Sequence, residues 1–148
     1  VAPRTLKLDD FLPYQLSVTS NAVSGVIART YDRLFGLKIP EWRLIAVLAE
    51  GGELTQQALV ARTEMDKMTV SRAAQALVER GLVTRVRHGS DKRAHLLELS
   101  GDGRRLYAEV APQALEFEAR VLRELSEAEV VQLKATLAKL KDAAAALR

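Results

Sequence analysis

No cysteine occurs among the 148 residues, which excludes disulfides, thiolate metal sites, thiol catalysis and cysteine-based redox sensing. No apolar run approaches the roughly 18 residues that a membrane-spanning helix needs. Val1-Ala2-Pro3-Arg4 has no apolar segment behind it, so no secretory signal is read there and a cytoplasmic location is expected. The first residue is Val1 rather than Met, so a trimmed or partial N-terminus is expected. Enzyme signatures are missing as well: there is no nucleophile elbow, no Walker phosphate loop and no His-Glu-x-x-His. Paired acids such as Glu116 and Glu118 stand two apart in an expected helix and do not face one another. No enzyme activity, cofactor or metal is therefore expected. Repeats and low-complexity linkers are absent too.

What is present is a one-domain length, 48% hydrophobic and 28% charged, enough to bury a core without staples. The net charge of +3 is too small to name a partner by itself. Its distribution says more. Arg80, Arg85, Arg87, Lys92, Arg93, Arg104 and Arg105 fall in one segment against Asp91, Glu98 and Asp102, a local +4 that leaves −1 for the rest. Such concentration fits a phosphate-binding surface, and equally a solvated charged face.

Asp9 and Asp10 are N-cap candidates, with Pro13 tolerated in the first turn that follows. Leu16, Val23, Ile27, Tyr31 and Leu34 recur at helical spacing, so Phe11 to Phe35 reads as a long amphipathic helix stopped by Gly36. Pro40 opens a second helix, with Trp42, Ile45, Ala46 and Ala49 on one face and Gly51-Gly52 at its end. Thr55 caps a short helix, Gln56 to Arg62, and Asp66 caps another, Lys67 to Arg80, ending at Gly81.

The period then changes. Leu82 to Arg87 and Ala94 to Leu99 are strand-like, and His88-Gly89-Ser90-Asp91-Lys92 between them is a polar turn, giving a β-hairpin with a basic tip. Ser100 caps a long helix to about Leu125, bent at Pro112. Ser126-Glu127-Ala128-Glu129 fits a capping box opening a last helix to about Leu147. The fold class is mainly α with a small β-hairpin wing. Residues 37–100 form a winged helix-turn-helix, and 1–36 with 101–148 form a helical dimerisation layer. The outer apolar faces are longer than one antiparallel pair would bury, so a homodimer is expected.

In Lys67 to Arg80, Val70, Ala74, Leu77 and Val78 supply a core face, leaving Lys67, Thr69, Ser71, Arg72 and Gln75 on the other side. Short hydroxyls, Gln and Arg are the side chains that bond phosphates and base edges in a major groove. No carboxylate interrupts Lys67 to Gln75, which argues against an ordinary solvated face. On the hairpin, Arg87, Lys92 and Arg93 are placed to reach a minor groove, with His88 as a phosphate contact. Asp91 either orients a neighbouring guanidinium or stabilises the turn locally.

These residues resemble the MarR family of bacterial transcription regulators. The motifs are Asp66-Lys67-Met68-Thr69-Val70-Ser71-Arg72 running to Leu77-Val78-Glu79-Arg80-Gly81-Leu82-Val83, the wing Asp91-Lys92-Arg93, and Leu97 to Gly103. The resemblance implies a homodimer gripping a pseudo-palindromic double-stranded DNA, with Arg93 in the minor groove and Asp91 bracing the wing. It further implies a small anionic or phenolic effector bound between dimer layer and winged domain. Phe11, Tyr14, Arg29, Tyr31, Trp42 and Arg43 are the candidate pocket, with Tyr107 a further aromatic on a helix that would converge there, the two arginines suiting a carboxylate or a thioester-linked phosphate, although core packing explains the aromatics as well. The opening segment Asp10 to Val18 is similar to a subgroup associated with aromatic-acid catabolism. Without cysteine, the thiol-sensing branch of the family does not apply.

Two patterns lead nowhere. Gly101-Asp102-Gly103 begins like a dinucleotide fingerprint, but Leu106 stands where its third glycine belongs, so a turn and cap is the better reading. His88, His95, Asp91 and Glu98 match no known metal-ligand spacing. The expected function is a homodimeric, effector-released repressor. The alternative is a winged-helix protein-interaction module without sequence-specific DNA binding.

Overall fold

The computed structural model describes residues 3–87 and 95–148. Among these, six α-helices and a three-stranded antiparallel sheet follow the order α1 (Leu12–Phe35), α2 (Ile39–Gly51), β1 (Leu54–Thr55), α3 (Gln56–Thr63), α4 (Lys67–Glu79), β2 (Val83–Arg87), β3 (His95–Leu99), α5 (Gly101–Val121) and α6 (Glu127–Ala146). Two compact units divide the chain, Val1–Ala111 and Pro112–Arg148.

Local capping chemistry sets most of the helix ends. Thr55 Oγ1 accepts from Ala58 N at 3.0 Å and Asp66 Oδ1 from Thr69 N at 2.8 Å. Ser126 and Glu129 cap reciprocally at 3.0 and 3.1 Å. At the end of α1, Gly36 takes φ +62, and Gly36 N and Leu37 N close back on the Asp32 and Tyr31 carbonyls at 2.9 and 3.2 Å. A residue with a Cβ would be strained there. The aspartate caps expected for α1 do not form. Leu8–Asp10 is a short 3₁₀ turn, and Phe11, with no side-chain acceptor, occupies the N-cap position. Likewise α5 ends at Val121 rather than Leu125, because Leu125 N bonds to the Leu122 carbonyl three residues back, tightening the chain into turns before Ser126.

The sheet has one strand more than the expected hairpin. Beside the β2–β3 pair, with Val83 opposite Leu99 and Arg87 opposite His95, β1 pairs on the other edge of β3, Leu54 opposite Leu97. The order is β1-β3-β2, which clips the α2–α3 connection to the base of the hairpin.

The core of the first unit is built from Leu37, Leu44, Ile45, Leu48, Leu59, Val70, Ala73, Ala74, Leu77, Leu82, Val83, Leu97, Leu99 and Val110 with Tyr31. On α2 the buried stripe is Glu41, Leu44, Ile45 and Leu48, one position away from the expected Trp42–Ala49 face. Buried Glu41 is not idle: its Oε1 accepts the Lys38 N–H at 3.0 Å, closing the first turn of α2. On α4, Ala73 joins the core and Val78 is only half-buried. Along α1, Tyr31 alone is buried, while Leu12, Leu16, Val18, Val23, Val26 and Leu34 stay exposed.

Two connections fix the C-terminal end of α4. Arg80 donates from Nη1 to the Gly36 carbonyl and from Nη2 to the Phe35 carbonyl, at 3.0 and 3.1 Å. One planar guanidinium thereby caps two terminal carbonyls of α1, where helix polarity also favours a cation. The second connection is a knot of backbone. Leu82 N bonds to the Leu77 carbonyl at 2.9 Å, Ser100 N to the Leu82 carbonyl at 3.0 Å, and Ser100 Oγ to the Gly81 carbonyl at 2.6 Å. Ser100 Oγ also accepts from Gly103 N at 3.0 Å, capping α5 as expected.

Gly103 is buried hard against this knot. A Cβ there would press into the Leu82 carbonyl oxygen, which is itself engaged with Ser100. Replacement with Ala should therefore force α5 off β2 and lower unfolding stability by about 1–3 kcal/mol, as overpacking does elsewhere. Chemical denaturation of Gly103→Ala beside wild type measures it; equal midpoints would mean that the joint yields without cost.

Candidate nucleic-acid interface

The helix-turn-helix proper is α3 and α4, joined through Glu64, whose φ of +59 makes the left-handed stop that ends α3. Burial of Val70, Ala73, Ala74 and Leu77 rolls the opposite face of α4 outward. Lys67, Ser71, Arg72 and Gln75 are exposed on it and Thr69 is half-buried, so the structure assembles all five expected side chains on one helix face. Met68 belongs to that face too, 61% exposed. Apolar side chains can read the thymine methyl, and Met68, two residues before Val70, lies off the core spacing of α4.

The five are not chemically equivalent. Thr69 donates its hydroxyl proton to Asp66 Oδ2 at 2.9 Å, and its backbone N–H goes to Oδ1 of the same carboxylate. What remains of the hydroxyl is acceptor capacity, which suits an exocyclic base amine and not a phosphate. These two Thr69 contacts, the backbone N–H first, hold the Asp66 carboxyl below its ordinary pKa. Gln75 is engaged as well: its Oε1 accepts from Arg85 Nη2 at 3.2 Å and its Nε2 donates to Glu79 Oε1 at 3.0 Å.

Arg72 lines a shallow groove of about 240 Å³ between α4 and the start of α2, together with Lys38, Glu41 and Thr69. Lys38 and Arg72 place two cations on this groove, with the Glu41 carboxylate turned to the Lys38 backbone. Lys38 was not among the expected residues, since a lone Lys in a loop carries no sequence signal.

In the wing, Arg87 ends β2 opposite His95, and its side chain is not among those described. His88, Asp91, Lys92 and Arg93 lie outside the described residues. Of the dismissed metal set, His95 and Glu98 stand three apart on β3, a spacing that sends them to opposite faces of the sheet.

The six expected effector-pocket residues separate into groups. Tyr31, only 2% exposed, meets Trp42 edge to face at 5.6 Å between centroids, and Trp42 stacks on Tyr107 at 5.9 Å with planes 16° apart. Arg43, next along α2, and Arg29, on α1, are exposed. Phe11 and Tyr14 belong to the other end of α1, and Tyr14 is about 25 Å along the helix from Tyr31. Within one chain they do not reach Trp42.

This arrangement of α2, β1, α3, α4 and a two-stranded wing is a winged helix. Residues 35–94 match the MarR family model. The chain is 31% identical over 106 residues to the transcriptional regulator FarR of Neisseria gonorrhoeae, covering 70% of this chain and 73% of that one. It is 33% identical over 88 residues, 60% of this chain, to the regulator YwoH of Bacillus subtilis, of whose length the match spans 64%. Among solved structures, a MarR/EmrR family regulator from Acinetobacter sp. ADP1 superposes with a TM-score of 0.86 at 29% identity, over 94% of this chain and 98% of that one. BpsR of Bordetella bronchiseptica shares the fold at TM-score 0.87 and 22% identity, over 94% and 99%. The chain belongs to the MarR family: it is a DNA-binding transcription regulator and not an enzyme. No helix among the described residues is long and apolar enough to cross a membrane.

The capping of α4 has a measurable pH signature. Folding lowers the pKa of Asp66 below its unfolded value of 3.8, so the stability it contributes is full above that pH. It is lost as pH falls through the folded value. Urea unfolding of Asp66→Ala and wild type should differ at neutral pH, and the difference should shrink as pH falls below the unfolded value; a gap that stays constant all the way into strong acid would show that the ionised carboxylate is not what caps the helix.

Proposed function

We propose that the chain is a homodimeric repressor that reads a pseudo-palindromic operator and is released by a small aromatic acid or its acyl-CoA ester. The observation that carries the DNA-reading part is the exposed Lys67, Ser71, Arg72 and Gln75 row on a helix whose other face is locked in the core. Thr69 completes the reading set, and Arg87, His88, Asp91, Lys92 and Arg93 form the wing contact. Dimerisation is supported by apolar surface that the single chain leaves uncovered: Leu12, Leu16, Val23 and Val26 on α1, and Val131, Leu133 and Leu137 on α6. Residues 1–36 and 101–148 supply the dimer contacts in this reading.

The effector reading rests on the Tyr31–Trp42–Tyr107 stack, in which Tyr31 is buried and Trp42 and Tyr107 are half-buried, with the exposed Arg43 next along α2 as the cation for an aromatic carboxylate. For BpsR, regulation of DNA binding by 6-hydroxynicotinic acid is known. An effector preferring one spacing of the two recognition helices would shift the dimer away from the spacing that fits half-sites about one helical turn apart. A differential affinity of about 3 kcal/mol changes that equilibrium by roughly two orders of magnitude.

Binding to duplex DNA should fall steeply with salt, and a flat dependence would favour a protein-interaction module over a DNA reader. Arg72→Ala should weaken operator binding by about 1–3 kcal/mol and relax one base position, while Arg93→Ala should weaken it with the dimer intact by sedimentation. Unchanged gel shifts would remove the residue concerned from the interface. Trp42 is the sole tryptophan, so its fluorescence should respond to titration with a bound aromatic acid or acyl-CoA ester, with a matching rise in melting temperature. A panel of such acids that moves neither signal would refute the effector class.

A further inference from the structure

We propose that Arg85 and Glu79 are positioning residues that lock the Gln75 amide in one orientation and thereby set it to read adenine. The proposal rests on the reading of α4 as the recognition helix. An isolated glutamine amide can rotate by half a turn and exchange its oxygen and nitrogen. Here it cannot do so without losing both partners. Arg85 Nη2 reaches Oε1 at 3.2 Å and Glu79 Oε1 receives Nε2 at 3.0 Å. A guanidinium has only donors and an ionised carboxylate only acceptors, so chemistry alone fixes oxygen toward β2 and nitrogen toward the end of α4.

The restraint does not exhaust the amide. One N–H and one oxygen lone pair remain, the donor and acceptor that pair with adenine N7 and N6 in the major groove. Guanine offers two acceptors along the same edge, so the fixed oxygen would face the O6 or N7 lone pair. A flippable amide has more ways to adapt to the site, and this one has fewer. The arrangement also reaches across elements. Arg85 lies on β2 and Gln75 and Glu79 stand one turn apart on α4, so the wing strand controls the orientation of a side chain on the recognition helix.

A bare surface cation at Arg85 would instead bond a phosphate and add affinity evenly for all sequences. The two roles separate in a selection from a randomised duplex library with the full chain, comparing wild type, Gln75→Ala, Arg85→Met, Arg85→Lys and Glu79→Leu. Wild type should enrich adenine at one position of each half-site, and Gln75→Ala should lose it. Arg85→Met and Glu79→Leu should each cut that enrichment on the order of fivefold or more, leaving other positions in place. Arg85→Lys, still a pure donor, should restore it. An even loss across sequences in Arg85→Met, with a salt slope shallower by about one phosphate, would overturn the proposal. So would enrichment of another base at the position sensitive to Gln75→Ala, or full adenine enrichment in Glu79→Leu, which covers the case of an unfolded Arg85 variant. Failure of wild type to bind duplex at all would instead overturn the underlying reading of α4.

Discussion

The structure depends on one crowded junction, where the end of α4, the start of β2 and the entry to α5 share a few backbone groups. The Gly81 and Leu82 carbonyls both bond to Ser100, and the missing side chain of Gly103 lets α5 approach Leu82 closely. The register of the wing and the height of the recognition helix are set at the same point. The N–H and carbonyl groups of Gly81, Leu82 and Ser100 and the Gly103 N–H are all bonded inside the protein, so the junction has little freedom to slide. Gly81, at φ +74, makes the turn that brings α4 into this position.

Helix positions were largely legible in the sequence because their signals are local. Thr55, Asp66 and Ser126 cap within three residues of themselves, and Gly36 stops α1 by its own conformation. Features defined by distant partners were not legible. The two-residue β1 exists because Leu97 lies opposite Leu54, which no periodicity of two residues can announce. Gly103 was read as part of a turn and cap; the Ser100 cap is there, but the need for glycine comes from Leu82 across the junction. The Asp9 and Asp10 caps failed because the helix begins two residues past Asp10, out of reach of their carboxylates.

The candidate interface divides along the same line. Helical period gave the outward face of α4 correctly, because burial of Val70, Ala74 and Leu77 leaves no other orientation. It gave nothing about which groups on that face are already engaged. Thr69 spends its proton on Asp66, and Gln75 is held at both ends. Gathering aromatics by chemical type groups Tyr31, Trp42 and Tyr107, which do stack, with Tyr14, which the length of α1 keeps far from Tyr31.

The Arg80 fork and the Ser100 knot both grip α4 at its C-terminal end, whereas Lys67, Ser71 and Arg72 lie toward the other end of a helix 13 residues long. Mechanically this is a lever of about 20 Å pivoted beside α1. A rotation of about 5° at the pivot would carry the far end through about 1.7 Å, the difference between a hydrogen bond made and one lost. Because the pivot rests on the last carbonyls of α1, any tilt of α4 about this end would be largest at Lys67, Ser71 and Arg72, the row proposed to meet DNA.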